Sequence, residues 1–224
     1  MMKVVLVRPE TPGNIGAVAR AMKNFGLGDL VLVEPCDIDE DAYKRAKHAR
    51  EVLDTAEVWD RMMWDEFDLT VSTSSETGGE YNLNRNAVSP CVLSDKLADI
   101  DGCVGLIFGP ESKGLKNEEI KETDIFCHIP TDDCYPVLNL SHAVAVILYE
   151  LSKADVESTY ELASSKEREV LMDQLENIVG KVDVEEYRRE SVVLSLKNIV
   201  GRSMISRKEA SVLIGFFRKI KERL

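Results

Sequence analysis

The stretch V-G-L-I-F-G-P-E-S-K-G-L, Val104 to Leu115, decides the fold class. Its first five residues form a short apolar run without polar alternation, the pattern of a strand buried on both faces. Pro110 cannot donate to a ladder, so the strand must stop before it. Gly109 lets a ligand or another backbone come close, and Glu111 is then set at the rim of whatever lies there. Taken alone, Gly109-Pro110-Glu111 also reads as an ordinary strand-ending turn with a helix-capping acid. Working outward, similar apolar runs mark strands at Val4–Val7, Leu30–Val33, Leu69–Ser72 and Ile125–Ile129. Helical patterns fall at Ile15–Phe25, Glu40–Arg50, Trp59–Glu66 and Leu140–Leu151. This alternation predicts an α/β fold: a mostly parallel sheet with helices on both faces.

Two further stretches place Gly, Pro or Asn where a strand hands over to a helix. One is N-I-G-A-V-A-R, Asn14 to Arg20. Asn14 is a good N-cap, Pro12-Gly13 blocks extension backwards, and Gly26 ends the helix. Ile15, Val18, Ala19, Met22 and Phe25 make its apolar stripe, while Gly16 and Arg20 share another face. The other is C-Y-P-V-L-N-L-S-H-A, Cys134 to Ala143, where Asn139 or Ser141 can cap the apolar helix that follows. Ser72 to Pro90 is a long polar stretch directly after a strand, which puts it at the carboxyl edge of the sheet, where open α/β folds bind ligands. Three such turns in one α/β body argue for a built pocket.

Composition narrows the class. The chain has 224 residues and is 44% hydrophobic, enough for a proper core. No apolar run approaches a membrane span and the N-terminus lacks a basic-then-apolar signal, so the chain reads as cytoplasmic. Five cysteines, none in C-x-x-C, argue against a zinc site, and no metal is expected. Cys103 and Cys127 read as buried thiols. His128 and His142 lack a nearby carboxylate in sequence and read as structural, and His48 as part of a charged, solvated helix. G-x-G-x-x-G, G-x-x-x-x-G-K-[ST] and G-x-S-x-G are all absent, which leaves a dinucleotide fold, a P-loop and an α/β-hydrolase unsupported.

The net charge of −12 opposes nucleic-acid binding by the molecule as a whole, but the charge is uneven. Glu34 to Glu80 holds 14 acids against 5 bases, whereas Gly201 to Leu224 holds 7 bases against 2 acids. The basic end is either an RNA-binding patch or the solvated face of a terminal helix. After Leu151 strand signals cease. Residues 1–151 form the α/β domain, 152–165 a linker, and 166–224 a helical extension with amphipathic patterns at Glu167–Val179, Val184–Val200 and Arg207–Arg223, for which Asp183 and Ser206 are candidate caps.

Taken together, N-x-G-x-x-x-R followed by F-G, then F-G-x-E-x-x-G-L, then L-N-L-S-x-A resemble the SpoU/TrmH branch of the SPOUT RNA methyltransferases, over Met1 to about Leu151, with T-S-S after the third strand as a fourth match. The Y-P-V-L-N-L-S-H-A form and the Gly201-Arg202 extension are similar to the TrmJ group within it. The resemblance implies a sheet ending in a deep trefoil knot, a homodimer with its active site completed across the interface, and S-adenosylmethionine as cofactor. It implies 2′-O-ribose methylation of tRNA, at position 32 of the anticodon loop. It assigns the cofactor to Thr73, Ser74, Ser75, Gly109, Ile129, Pro136, Val137 and Leu138, and catalysis to Arg20, Asn14, Glu111 and Asn139, with Glu111 orienting Arg20 or another cation. RNA contacts fall on Arg8, Lys23, Arg85, Arg202, Arg207 and Arg218. Many relatives have Ser where this chain has Val137, so a hydroxyl role there does not carry over; Ser141 or Tyr135 are candidate substitutes. The alternatives are a ribosomal RNA substrate, a catalytically silent RNA-binding member, and a small-molecule enzyme with an interaction tail.

Overall fold

The computed structural model describes residues 1–74, 87–98, 100–153, 160–183 and 185–222. Six parallel strands form the main sheet: β1 (Met2–Val7), β2 (Leu30–Val33), β3 (Glu57–Trp59), β4 (Leu69–Thr73), β6 (Val104–Phe108) and β7 (Ile125–Cys127). Their order is β3-β2-β1-β6-β4-β7. The helices are α1 (Pro12–Asn24), α2 (Glu40–Ala46), α3 (Arg50–Asp54), α4 (Pro90–Leu97), α5 (Asn117–Glu122), α6 (Leu140–Leu151), α7 (Ser165–Lys181), α8 (Glu186–Ser203) and α9 (Arg207–Lys221). A short second sheet pairs β5 (Ile100–Asp101) with β8 (Tyr160–Glu161).

The unbroken apolar strands are explained by burial on both sides. In β1, Val4 and Leu6 join the core under α1, α2, α3, α4 and α6, while Val5 and Val7 join a second cluster with Trp59, Phe67, Leu115 and Ile120. Helices therefore lie on both faces, unequally, since among the described residues α5 is the one α-helix that reaches the second cluster. α1 and α2 pack closely because position 16 carries no side chain: a Cβ there would sit 2.0 Å from the Ala42 carbonyl oxygen.

Several local expectations need correction. Trp59–Glu66 is not a helix. Trp59 ends the edge strand β3, its indole tilted against Phe67 at 5.9 Å with Nε1 donating to Glu57, and only Trp64–Glu66 makes a 3-10 turn. Glu40–Arg50 is broken at Lys47, whose φ of 54° cannot continue a helix. β7 stops at Cys127, two residues early. The N-cap of α1 is Thr11, with Pro12 opening the helix, so Asn14 lies in the first turn with its side chain free for other work. Asn139 is the cap of α6. The N-cap of α8 is Glu185, not Asp183, and it makes no side-chain cap bond, while Ser206 caps α9 as expected. α4 and α5 are additional to the expected helices. Cys103 is only half-buried, whereas Cys127 is fully buried.

Within the segment read as a linker, Tyr160–Glu161 is a strand and Leu162 is buried in the main core beside Met204. The C-terminal helices meet the body at the amino-terminal edge of the sheet. There Arg168 of α7 pairs with Asp124 at 2.9 Å, and the same carboxylate accepts from the Thr70 amide and hydroxyl, both at 2.9 Å. Among the described residues no helix is long and apolar enough to cross a membrane, and no cluster of His, Cys, Asp or Glu is placed to hold a metal ion.

Candidate active site

At the opposite, carboxyl edge of the sheet lies a cavity of about 440 Å³, within the range of small-molecule sites. β4 contributes Thr73 and Ser74, β6 Phe108 and Gly109, β7 Cys127 with Ile129 beyond it, and the approach to α6 contributes Pro136, Val137 and Leu138. Seven of the eight residues assigned to the cofactor therefore converge; Ser75 lies outside the described residues. The loop from Pro110 to Asn117, including Lys113, Leu115 and Lys116, forms a further wall beyond the residues assigned to the cofactor. Gly109 and Gly114 shape it. A Cβ on Gly109 would lie 2.2 Å from the Leu115 amide nitrogen, and Gly114 has φ +64° and donates its amide to the Pro110 carbonyl at 2.8 Å. Gly109 thus makes room for the chain's own returning loop, not only for a ligand.

The three motif turns meet beside this cavity in one hydrogen-bonded chain. Glu111 accepts from the Glu10 amide (2.8 Å), the Thr11 amide (3.3 Å) and hydroxyl (2.9 Å), and Asn14 Nδ2 (2.8 Å). It supplies, from across the sequence, the side-chain cap that Thr11 does not make for α1. Asn14 Oδ1 accepts from Asn139 Nδ2 at 3.0 Å, and Asn139 Oδ1 accepts from the Ser141 amide (3.0 Å) and hydroxyl (2.7 Å). Both ends are chemically unambiguous, a carboxylate that only accepts and an amide that only donates. Both asparagine orientations are therefore fixed. Burial alone would raise the Glu111 carboxyl, but the bonds from Asn14, the Glu10 amide, its own amide and Thr11 outweigh it and hold the group below its ordinary value. Among the described residues Glu111 bonds these neutral donors and not Arg20, so its direct role is to anchor α1 and Asn14.

Arg20 is exposed and lines no part of the cavity of its own chain. Of the two candidate substitutes for the missing Ser at Val137, Ser141 donates to Asn139 and Tyr135 is 82% exposed in the turn after Asp132. His142 is exposed in the first turn of α6. His128 Nδ1 lies 3.1 Å from the Ser74 carbonyl and donates to it, tying the end of β4 to the chain leaving β7. Cys127 faces the cavity, but burial pushes its thiol up to about 12, so it stays protonated and inert.

The assigned RNA contacts differ in availability. Arg8 is clamped by Glu119, with contacts at 2.7 and 2.9 Å, and lies near Glu34. Lys23 pairs with Glu51, and Arg207 with Glu161 and Glu167. Arg202 and Arg218 have no ion-pair partner among the described residues; Arg85 lies outside them. The helices that carry Arg202 and Arg207 meet the body beside Asp124, at the sheet edge opposite the cavity.

Residues 1–149 match the SpoU rRNA Methylase family. The chain belongs to that family. Among SpoU relatives, the tRNA (cytidine-2′-O-)-methyltransferase TrmJ of Methanocaldococcus jannaschii is 39% identical over 228 residues, covering 97% of this chain and 99% of the relative. The tRNA (cytidine/uridine/adenosine-2′-O-)-methyltransferase TrmJ of Pseudomonas aeruginosa is 34% identical, covering 99% and 94%. The crystal structure of TrmJ from Z. mobilis ZM4 superimposes with a TM-score of 0.75 at 27% identity, over 99% of both chains. The SpoU match ends just before the C-terminal helices, while these relatives align along nearly the whole chain, helices included.

Proposed function

We propose that this chain is an S-adenosylmethionine-dependent methyltransferase acting on the ribose 2′-oxygen of tRNA, at position 32 of the anticodon loop. The observation that carries the reading is the meeting of Asn14, Glu111 and Asn139 beside a cavity lined by the expected cofactor residues. The names of the full-length relatives support the substrate class.

The cavity suits S-adenosylmethionine on its own chemistry. Apolar Leu115, Ile129, Leu138 and Leu140 offer a slot for a flat base, while the ends of β4 and β6 present backbone and hydroxyl groups at Thr73, Ser74 and Gly109. When bound, that cofactor supplies a methyl group made electrophilic by its sulfonium. The chain must then hold a ribose hydroxyl in place and stabilise the charge that develops on it. Arg20 fits the second task. A guanidinium keeps its proton under nearly all conditions, so Arg20 grips the substrate phosphate and stabilises the developing alkoxide, and the proton leaves through that phosphate or water. Asn14 and Asn139, locked by Glu111 and Ser141, position the approaching nucleotide.

Two structural expectations belong to the same proposal. Arg20 is absent from its own chain's cavity, which favours a homodimer whose site takes Arg20 from the second copy. Val88 pairs with Cys127 on the far side of β7 from β4, while Pro136–Leu138 return to the cavity beside Thr73. That arrangement favours a trefoil knot. The body at 1–151 carries the chemistry, and 166–224 is an RNA-binding extension. The test is transfer of labelled methyl to an unmodified tRNA transcript, wild type beside Arg20→Ala, with the modified nucleoside mapped. A 2′-O-methyl nucleoside at position 32, lost in the variant, is expected. Transfer only to a ribosomal RNA fragment would redirect the substrate, and failure to bind the cofactor would end the enzyme reading.

A further inference from the structure

From Lys44 to Arg50 the chain reads K-R-A-K-H-A-R: four bases and a histidine with no acid, inside the most acidic segment of the molecule. The fold gathers these groups. α2 stops at Ala46, and Lys47 takes φ 54° and ψ −111°, a conformation an L-residue adopts only at a cost. The break creates two shallow depressions of about 640 and 510 Å³, one lined by Lys44, Lys47 and Arg50, the other by Lys47, His48 and Arg50. Glu40 and Asp41 also border the larger one, and Asp41 is paired with Arg45 at 3.2 Å. Among the described residues Lys44, Lys47 and Arg50 have no carboxylate within ion-pair distance, unlike Lys3, Arg8, Lys23, Arg168 and Arg207.

This surface continues that of Arg20. Along α1, Gly16 packs on Ala42, and Lys23 donates to the His48 carbonyl at 2.6 Å. Arg20 lies between them, exposed and itself without an ion-pair partner among the described residues. The net charge of −12 repels a polyanion elsewhere on the body, so an unpaired cationic concavity beside Arg20 is where phosphates approach most favourably.

We propose that Lys44, Lys47, His48 and Arg50 bind the sugar–phosphate backbone flanking the nucleotide that Arg20 meets, a contact surface separate from the C-terminal cations. It rests on the tRNA reading above. Lysine and arginine here act on phosphate and position the strand; they carry no base specificity.

The test uses the full chain with Lys44→Ala, Lys47→Asn and Arg50→Ala combined, Asn being chosen because it tolerates positive φ. A Lys44→Ala/Arg50→Ala double variant leaves the strained position untouched should the triple fail to fold. Dissociation constants for an unmodified tRNA transcript are measured across salt, beside cofactor affinity and oligomeric state. Losing three phosphate contacts lowers the log–log salt slope by about 2–3, so between ~50 and ~200 mM salt the wild type loses about 30-fold more affinity than the triple variant. Cofactor affinity stays as in wild type. Unchanged tRNA affinity and slope would overturn the surface and leave methyl transfer by wild type standing. A changed oligomeric state with unchanged tRNA affinity would overturn it in favour of a contact between copies. Wild type that binds no tRNA would overturn both.

Discussion

Replacing Glu111 by Ala removes the acceptor for four hydrogen bonds, from the Glu10 amide, the Thr11 amide and hydroxyl, and Asn14 Nδ2. Thr11 makes no side-chain cap bond, so α1 loses its only side-chain cap among the described residues. A lost cap costs about 1 kcal/mol, a lost carboxylate at a partly buried helix N-terminus up to about 1 more, and a charge-assisted bond to a side chain about 1.5. These terms overlap, and a total of about 3 kcal/mol corresponds to a fall in Tm of about 6–12 °C for a chain of this size. Glu111→Gln keeps one accepting oxygen and falls by about half as much. The pH dependence has a fixed sign. The folded carboxyl titrates below its ordinary value of 4.5. Its contribution is therefore complete above that pH and is lost as the pH falls through the folded value. Both variants flatten the stability profile below about pH 4.5. Thermal and urea unfolding from pH 3 to 7, with an Asn14→Ala/Glu111→Ala double-mutant cycle, measure all of this. A loss under about 0.5 kcal/mol, or strict additivity of the two substitutions, would refute the trans-cap.

Other outcomes follow from the packing. Gly16→Ala sets a methyl 2.0 Å from the Ala42 carbonyl and forces α1 and α2 apart; a loss of about 1–3 kcal/mol is expected in urea unfolding. Gly109→Ala strikes the Leu115 amide nitrogen at 2.2 Å, so calorimetry is expected to show weakened cofactor binding even where the variant stays folded. Thiol labelling of the native protein at pH 8 reaches exposed Cys91 and Cys134 and spares Cys127, whose buried thiol titrates near 12; modification of Cys127 before unfolding would contradict its burial. Arg168→Ala leaves Asp124 without its cation at the base of the sheet and is expected to expose the C-terminal helices to limited proteolysis without changing cofactor affinity.

The strands were the most legible part of the sequence, for a physical reason. Leu30–Val33 and Val104–Phe108 are buried at every position, so composition alone marks both ends. Helix α6 was equally plain because Asn139 caps it locally and its apolar stripe is continuous. What failed were inferences needing a distant partner. Local capping rules look two or three residues ahead and chose Asn14, but the cap of α1 arrives from Glu111, about a hundred positions away, which frees Asn14 to bridge to Asn139. Trp59 looks helical until Phe67 and β2 are in place around it. The break at Lys47 has no Gly, Pro or Asn to announce it. The cavity-lining residues were named through resemblance, since exposed backbone at strand ends leaves little trace in side-chain chemistry.

The sheet order has a consequence for synthesis. β1 is flanked by β2, made within the next 30 residues, and by β6, which begins at Val104. At about 5–20 residues per second, β6 leaves the ribosome some 5–20 s after β1. For that interval Val4 to Val7 have one edge unpaired, and α1 lacks the acid that closes its first turn, because Glu111 follows directly on β6. One arriving strand therefore seals an aggregation-prone edge and brings the acid that closes the first turn of the helix carrying Arg20, so on a nascent chain both exposures end at the same moment.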